Sequence, residues 1–123
     1  MKENLPEPTT RRVTGDHFED AARSFLLARG LYFVRANFLC RFGEIDLVMR
    51  DGEFLVFVEV RYRRSRAFGG ALGSITAKKR QRIISAAQVW LRAHPRDAHR
   101  PCRFDVVAFE GDDVEWLQAA FEA

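Results

Sequence analysis

A chain of 123 residues has room for one domain, and with 47% hydrophobic residues and eleven Phe it can bury a core. Twenty Lys and Arg against 17 Asp and Glu, a net charge of +3, is the balance of a globular protein and excludes a disordered one. No apolar run approaches the roughly 20 residues of a membrane helix, and Cys40 and Cys102 stand alone, outside any zinc pattern of about four close ligands.

The first residues, Met1 to Arg12, are polar and carry Pro6 and Pro8, so no signal peptide is expected. Residues 1–13 read as a flexible tail and 14–123 as a single α/β domain, soluble and cytoplasmic, with two reduced thiols and no membrane partner. A helix is predicted from about Asp16 to Arg29. Phe18, Ala21, Ala22, Phe25 and Leu26 fall at i, i+3, i+4, i+7 and i+8, one helical face, and Gly30 is a natural stop. Strands follow at Leu31–Asn37, Gly43–Met49 and Phe54–Arg63, the last two joined by a hairpin at Asp51-Gly52 of type I′.

A glycine-rich loop spans Ser65–Ser74 without the Gly-Lys-Ser/Thr of a phosphate-binding P-loop. A second helix, Ala77–Ala93, has Thr76 as N-cap, Pro95 beyond its end, and Ile83, Ile84, Ala87, Trp90 and Leu91 as its apolar face. Cys102–Phe109 and Val114–Leu117 read as a second hairpin turned at Gly111, in which Asp105 pairs with a nearby Arg.

Charge is segregated along this chain. Between Glu59 and Asp97 there is no acid, yet ten of the twenty basic residues lie there: Arg61, Arg63, Arg64, Arg66, Lys78, Lys79, Arg80, Arg82, Arg92 and Arg96. Such a segment is either a phosphate-binding face or a solvated one. Strand alternation sorts the first hairpin as well. Phe54, Val56, Val58, Val60 and Tyr62 share one face with Ile45, Leu47 and Met49. The other face carries Glu44, Asp46, Glu59 and Arg61 beyond Val48, Leu55 and Phe57. A turn centred on Asp51-Gly52 pairs Glu44 with Glu59 and makes Asp46 and Glu59 diagonal neighbours about 7–8 Å apart. Carboxylates so placed repel, and either a divalent cation or the neighbouring arginines must compensate.

At these residues the sequence resembles a known family. Gly43-Glu44-Ile45-Asp46 and, thirteen positions after Asp46, Glu59-Val60-Arg61 resemble the paired motif of PD-(D/E)XK nucleases, with Glu19 on the preceding helix. Gly15, Gly30, Asn37, Phe57 through Arg64, Phe68-Gly69, Thr76 with Lys79, and Arg103 through Val107 extend the likeness over about residues 14–121. More narrowly, the chain resembles the YraN family, uncharacterised bacterial proteins compared with Holliday-junction resolvases.

The resemblance implies a restriction-endonuclease-like core, a mixed sheet packed by helices, with metal carboxylates on its central hairpin. It implies Mg²⁺- or Mn²⁺-dependent hydrolysis of nucleic acid, with branched or damaged DNA favoured and a homodimer suited to the role. Asp46 and Glu59 are then the direct ligands, with the Val60 carbonyl as a third and Glu44 ranked behind Asp46. Glu19 acts from the helix, or else caps it reciprocally with Asp16. Arg61 stands where the superfamily commonly has Lys. It remains protonated and cannot be a general base, though it can hold phosphate charge. Arg63, Arg64, Lys78, Lys79 and Arg80 are the expected nucleic-acid contacts. The alternative is a non-catalytic nucleic-acid-binding module on the same fold.

Overall fold

The computed structural model describes residues 10–63 and 75–123, for residues 10–16 and Arg63 the backbone only. Its elements are α1 (Thr10–Ala28), β1 (Tyr32–Cys40), β2 (Gly43–Asp51), β3 (Phe54–Arg63), α2 (Ala77–Ala93), a 3₁₀ turn (Pro95–Asp97), β4 (Cys102–Glu110) and β5 (Asp113–Phe121). The strands form one sheet in the order β1-β2-β3-β4-β5, parallel between β3 and β4 and antiparallel elsewhere. The fold is therefore α/β, with a mixed five-stranded sheet between two helices.

Helix α1 begins at Thr10, inside the stretch expected as a tail and well before Asp16. Asp16 thus lies within the helix, and its reading as a cap paired with Glu19 does not hold. The helix ends as expected at Gly30, whose φ is +93°. Leu31 N–H donates to the Leu26 carbonyl (3.2 Å) and Gly30 N–H to that of Leu27 (3.1 Å), a Schellman closure. Its apolar accompaniment is present too, since Leu26 and Leu31 share one core cluster. Helix α2 has the predicted bounds. Thr76 Oγ1 accepts from Lys79 N at 3.0 Å, and Ile83, Ile84, Ala87 and Trp90 are buried.

The two helices cover opposite faces. Ala22 and Leu26 of α1 pack on Leu47, Met49, Val56, Val58, Val107 and Phe109. Ile83, Ile84, Ala87 and Trp90 of α2 pack on Ile45, Val48, Leu55, Phe57 and Phe104. This split corrects one expectation: Ile45 does not share a face with Leu47 and Met49. The cause lies across the ladder. Ala36 pairs with Leu47 and Phe38 with Ile45, and between those pairs Asn37 takes a φ of +53°. Asparagine tolerates this left-handed conformation better than most residues with a Cβ. The ribbon kinks there, and beyond it Phe38, Cys40 and Ile45 turn to the α2 side.

The hairpin register also differs from expectation. Asp51 pairs with Phe54 and Val48 with Phe57, so the turn is centred on Gly52-Glu53. Positive φ falls on Gly52 alone (+59°), the pattern of a type II′ turn and not of type I′. The slip of two residues preserves the faces, but sets Asp46 level with Glu59 instead of diagonal to it. Pairing between β2 and β3 stops at Leu47 and Val58, while β3 stays paired with β4 as far as Arg63 and Glu110. The strands part at this point, leaving a fork whose mouth holds Asp46 on one side and Glu59 on the other.

Candidate metal centre and basic pocket

A strand that loses its partner leaves backbone donors unpaired. At the fork, Val60 N–H points to where β2 would have continued, and Asp46 Oδ2 accepts it at 2.8 Å. One carboxylate thus replaces a ladder bond and is fixed in the gap. The kink at Asn37 has turned the strand so that Glu44 joins it. Glu19 of α1, Glu44 and Asp46 each offer a carboxylate oxygen, all three within 4.8 Å of one another and all half-buried.

Glu59 stands outside that trio but beside Asp46. Its residue exposure is 3%. Its Oε2 receives Arg61 Nη1 at 3.3 Å and lies 3.8 Å from Lys79 Nζ on α2. Its Oε1 is buried and, among the described residues, accepts no hydrogen bond. Burial, and next the charge of Glu59, push the Asp46 carboxyl up to about 8 from 3.8; the Val60 N–H and the charge of Lys79 pull the other way. A hydrogen bond between the two carboxyl groups exists only while one of them holds a proton.

These features test whether a divalent cation fits. Three carboxylate oxygens within 4.8 Å of one another are close enough for side-chain adjustment to bring them onto one divalent cation. A cation at the mouth of the fork would also replace the proton that Asp46 otherwise retains, and an orphaned buried oxygen at Glu59 is suited to the edge of such a site. The donors are all oxygens, the set a hard cation prefers.

Beside the acids lies their opposite. An open pocket of about 260 Å³ is lined by Arg61, Thr76, Lys78, Lys79 and Arg82. Arg61 and Lys79 belong to both regions, since each also reaches Glu59.

The structure thus brings Glu19, Asp46, Glu59 and Arg61 to one place, with Lys78 and Lys79 on its rim. Arg80 does not line the pocket; it is half-buried, with Nε unpaired among the described residues. Arg63 ends β3, but its side chain, like all of Arg64 and the Ser65–Ser74 loop, lies outside what is described. Sequence reasoning underweighted Glu44, because simple alternation could not foresee the Asn37 kink. It also missed Arg82 in the pocket. The i, i+4 spacing from Lys78 puts the two on one helical face and was the available signal.

Other features are structural. Asp105, fully buried, receives Arg103 Nε and Nη2 (2.9 and 3.0 Å), Trp116 Nε1 (2.9 Å) and Ala119 N–H (3.0 Å). The expected Asp–Arg pairing is present and larger than foreseen. Trp90 is core, stacked on His94 at 3.8 Å. Cys40 and Cys102 are both free, and burial pushes the Cys102 thiol up. No helix among the described residues is long and apolar enough to cross a membrane.

Comparison with known proteins gives a consistent lineage. Residues 18–109 match the family described as "Uncharacterised protein family UPF0102". The chain is 53% identical over 108 residues to a UPF0102 protein of Aeromonas hydrophila, covering 87% of this chain and 83% of the relative. It is 50% identical over 117 residues to the UPF0102 protein YraN of Escherichia fergusonii, covering 94% and 89%. A UPF0102 protein of Yersinia enterocolitica is 50% identical over 115 residues, covering 93% and 98%.

Proposed function

The chain belongs to the UPF0102 family, and we propose that it is a metal-dependent phosphodiesterase of the PD-(D/E)XK kind acting on nucleic acid, DNA by preference. The observation that carries this reading is the meeting of Glu19, Glu44 and Asp46 at a strand fork, next to a pocket lined by four cationic side chains. Metal-dependent hydrolysis of a phosphodiester uses that pairing: acids for a cation, and cations for the phosphate.

Glu19, Glu44 and Asp46 would hold the ion. Mg²⁺ or Mn²⁺ supplies, when bound, charge neutralisation at the phosphoryl oxygen and a more acidic water. The chain's own residues do the rest. Val60 N–H fixes Asp46. Glu59 holds Arg61 and draws in Lys79, so that both cations sit between the acids and the pocket. Arg61 cannot take up a proton, so its part is to stabilise charge on the phosphate.

The test combines calorimetry and cleavage. Mn²⁺ should bind the wild type, and Asp46→Ala or Glu44→Ala should abolish binding; unchanged binding in both folded variants removes the site. On single-stranded, duplex, flap and four-way-junction DNA and on RNA, cleavage should require the metal. Arg61→Ala should lower cleavage by about 10²-fold with the metal still bound, while Arg61→Lys keeps much of it. Arg61 in place of the usual Lys favours a second reading, a binding module without catalysis. Under that reading the metal binds but no substrate is cut, and Arg61→Ala merely weakens affinity.

A further inference from the structure

We propose that the pocket lined by Arg61, Thr76, Lys78, Lys79 and Arg82 is a phosphate subsite, holding an internal backbone phosphate of nucleic acid next to the one presented to the carboxylates. This rests on the reading of the centre as one that acts on nucleic acid.

The pocket concentrates positive charge against several opposing influences. Lys78 and Arg82 stand at i, i+4 and Lys79 and Arg82 at i, i+3, like charges on one helical face. The first turn of α2 contains no acid to complement the positive end of the helix dipole. Glu59 engages Arg61 and Lys79. Among the described residues no carboxylate pairs with Lys78 or Arg82, and no acid lines the pocket. An anion in the pocket offsets the repulsion among these cations and complements the helix dipole, while Glu59 competes with it for Arg61 and Lys79.

The donors also specify which anion. A guanidinium from β3, another from the second turn of α2 and two ammonium groups converge on one space of about 260 Å³. The Thr76 hydroxyl accepts from Lys79 N–H, and its own hydrogen remains available to donate. The N–H groups of Ala77 and Lys78, at the start of the helix, have no intrahelical acceptor. Donors arriving from several directions suit a tetrahedral oxyanion better than a planar carboxylate. Position selects the polymer. Arg61 and Lys79 line the pocket and also reach Glu59, so a phosphate there is one salt bridge from the carboxylate centre. A strand with successive phosphates occupies both places; a lone phosphate fills only one.

The test is binding without metal, which separates the subsite from catalysis. A 3′-labelled DNA oligonucleotide is titrated by fluorescence anisotropy in EDTA, over a range of salt. Lys78→Ala/Arg82→Ala should lower affinity at least tenfold at low salt and reduce the salt slope by about two. Lys78→Gln/Arg82→Gln should do the same with less risk to the helix. The control Arg92→Ala/Arg96→Ala, exposed cations toward the other end of α2, should stay within twofold. Both pocket variants should keep wild-type Mn²⁺ binding. Equal affinity for oligonucleotides with a 5′-phosphate and a 5′-hydroxyl is expected for an internal phosphate. A gain confined to the 5′-phosphorylated form would overturn that assignment and make the pocket a reader of ends. Wild-type affinity in the pocket variants, or an equal fall in the control, sinks the subsite while leaving the metal-centre reading standing. Failure of the wild type to bind any nucleic acid sinks both, and the Mn²⁺ titration then shows whether the metal centre survives alone.

Discussion

Asp46 is pulled in two directions by its surroundings. It is enclosed and faces Glu59, which favours the neutral form, yet it accepts Val60 N–H, which favours the charged one. Its carboxyl titrates near 3.8 in the unfolded chain and at about 8 in the folded one. Between those values the folded state holds a proton that the unfolded state has released. Stability from this group is therefore full below about pH 4 and is lost as pH rises toward 8. The slope for one such proton is at most about 1.4 kcal/mol per pH unit, several degrees of Tm in a domain of this size. Scanning calorimetry in EDTA should show Tm falling from about pH 5 to pH 8, and Asp46→Asn should flatten that fall. Saturating Mn²⁺ should oppose it, because cation and proton compete for the same oxygens. An unaltered pH slope in Asp46→Asn would falsify the assignment.

The elements matter through the places where they stop being regular. Periodicity identified both helical faces, and residue type identified the stop at Gly30 and the Thr76 cap. All of these rest on local rules. What such rules could not supply was the kink at Asn37, the fork beside the Leu47–Val58 pair, or the two-residue slip of the pairing register, since each depends on pairing across strands. Those irregularities are what bring Glu44 to Glu19. Asn37 can therefore be tested as an element. Asn37→Gly should be tolerated, with Mn²⁺ affinity kept. Asn37→Val, β-branched at positive φ, should cost about 1–3 kcal/mol and weaken Mn²⁺ binding, as read by denaturant unfolding and calorimetry. Retained affinity in a folded Asn37→Val would show that the kink does not position Glu44. A polar network on the α1 face, toward the hairpin turn and away from the fork, provides a control. Asp105 ties Arg103, Trp116 and the irregular end of β5, where Ala119 has a φ of +50°, and Arg103 reaches on to Asp51 at 3.0 Å. Removing this buried acceptor by Asp105→Ala should destabilise the domain by about 3–5 kcal/mol, because Arg103 and the Trp116 N–H lose their partner. Any residual folded protein should bind Mn²⁺ normally.

At the scale of the whole molecule, acids and bases that are separate in sequence become neighbours. The acid-free segment after Glu59 folds back through α2, so that Lys79 reaches Glu59 and the basic pocket adjoins the carboxylates. An incoming phosphate then meets attraction from the pocket and repulsion from the fork. A divalent cation on Glu19, Glu44 and Asp46 removes the repulsion and leaves the attraction, so metal and nucleic acid should bind with positive coupling. The coupling is reciprocal: whatever factor the metal adds to DNA affinity, DNA must add to metal affinity. With Ca²⁺ as an ion chosen to hold the site while suppressing cleavage, DNA affinity should rise about tenfold, or about 1.4 kcal/mol, within the usual range for such linkage. In Asp46→Asn the gain should shrink, because the variant has lost a ligand. In Lys78→Ala/Arg82→Ala the gain should persist on a weaker baseline, because the pocket and the metal act on different phosphates. The measurement is a set of anisotropy titrations with and without Ca²⁺ at fixed ionic strength, so that screening alone cannot imitate the effect. Equal gains in wild type and Asp46→Asn would place the Ca²⁺ effect outside the fork and break the proposed link between the acidic and basic halves of the site.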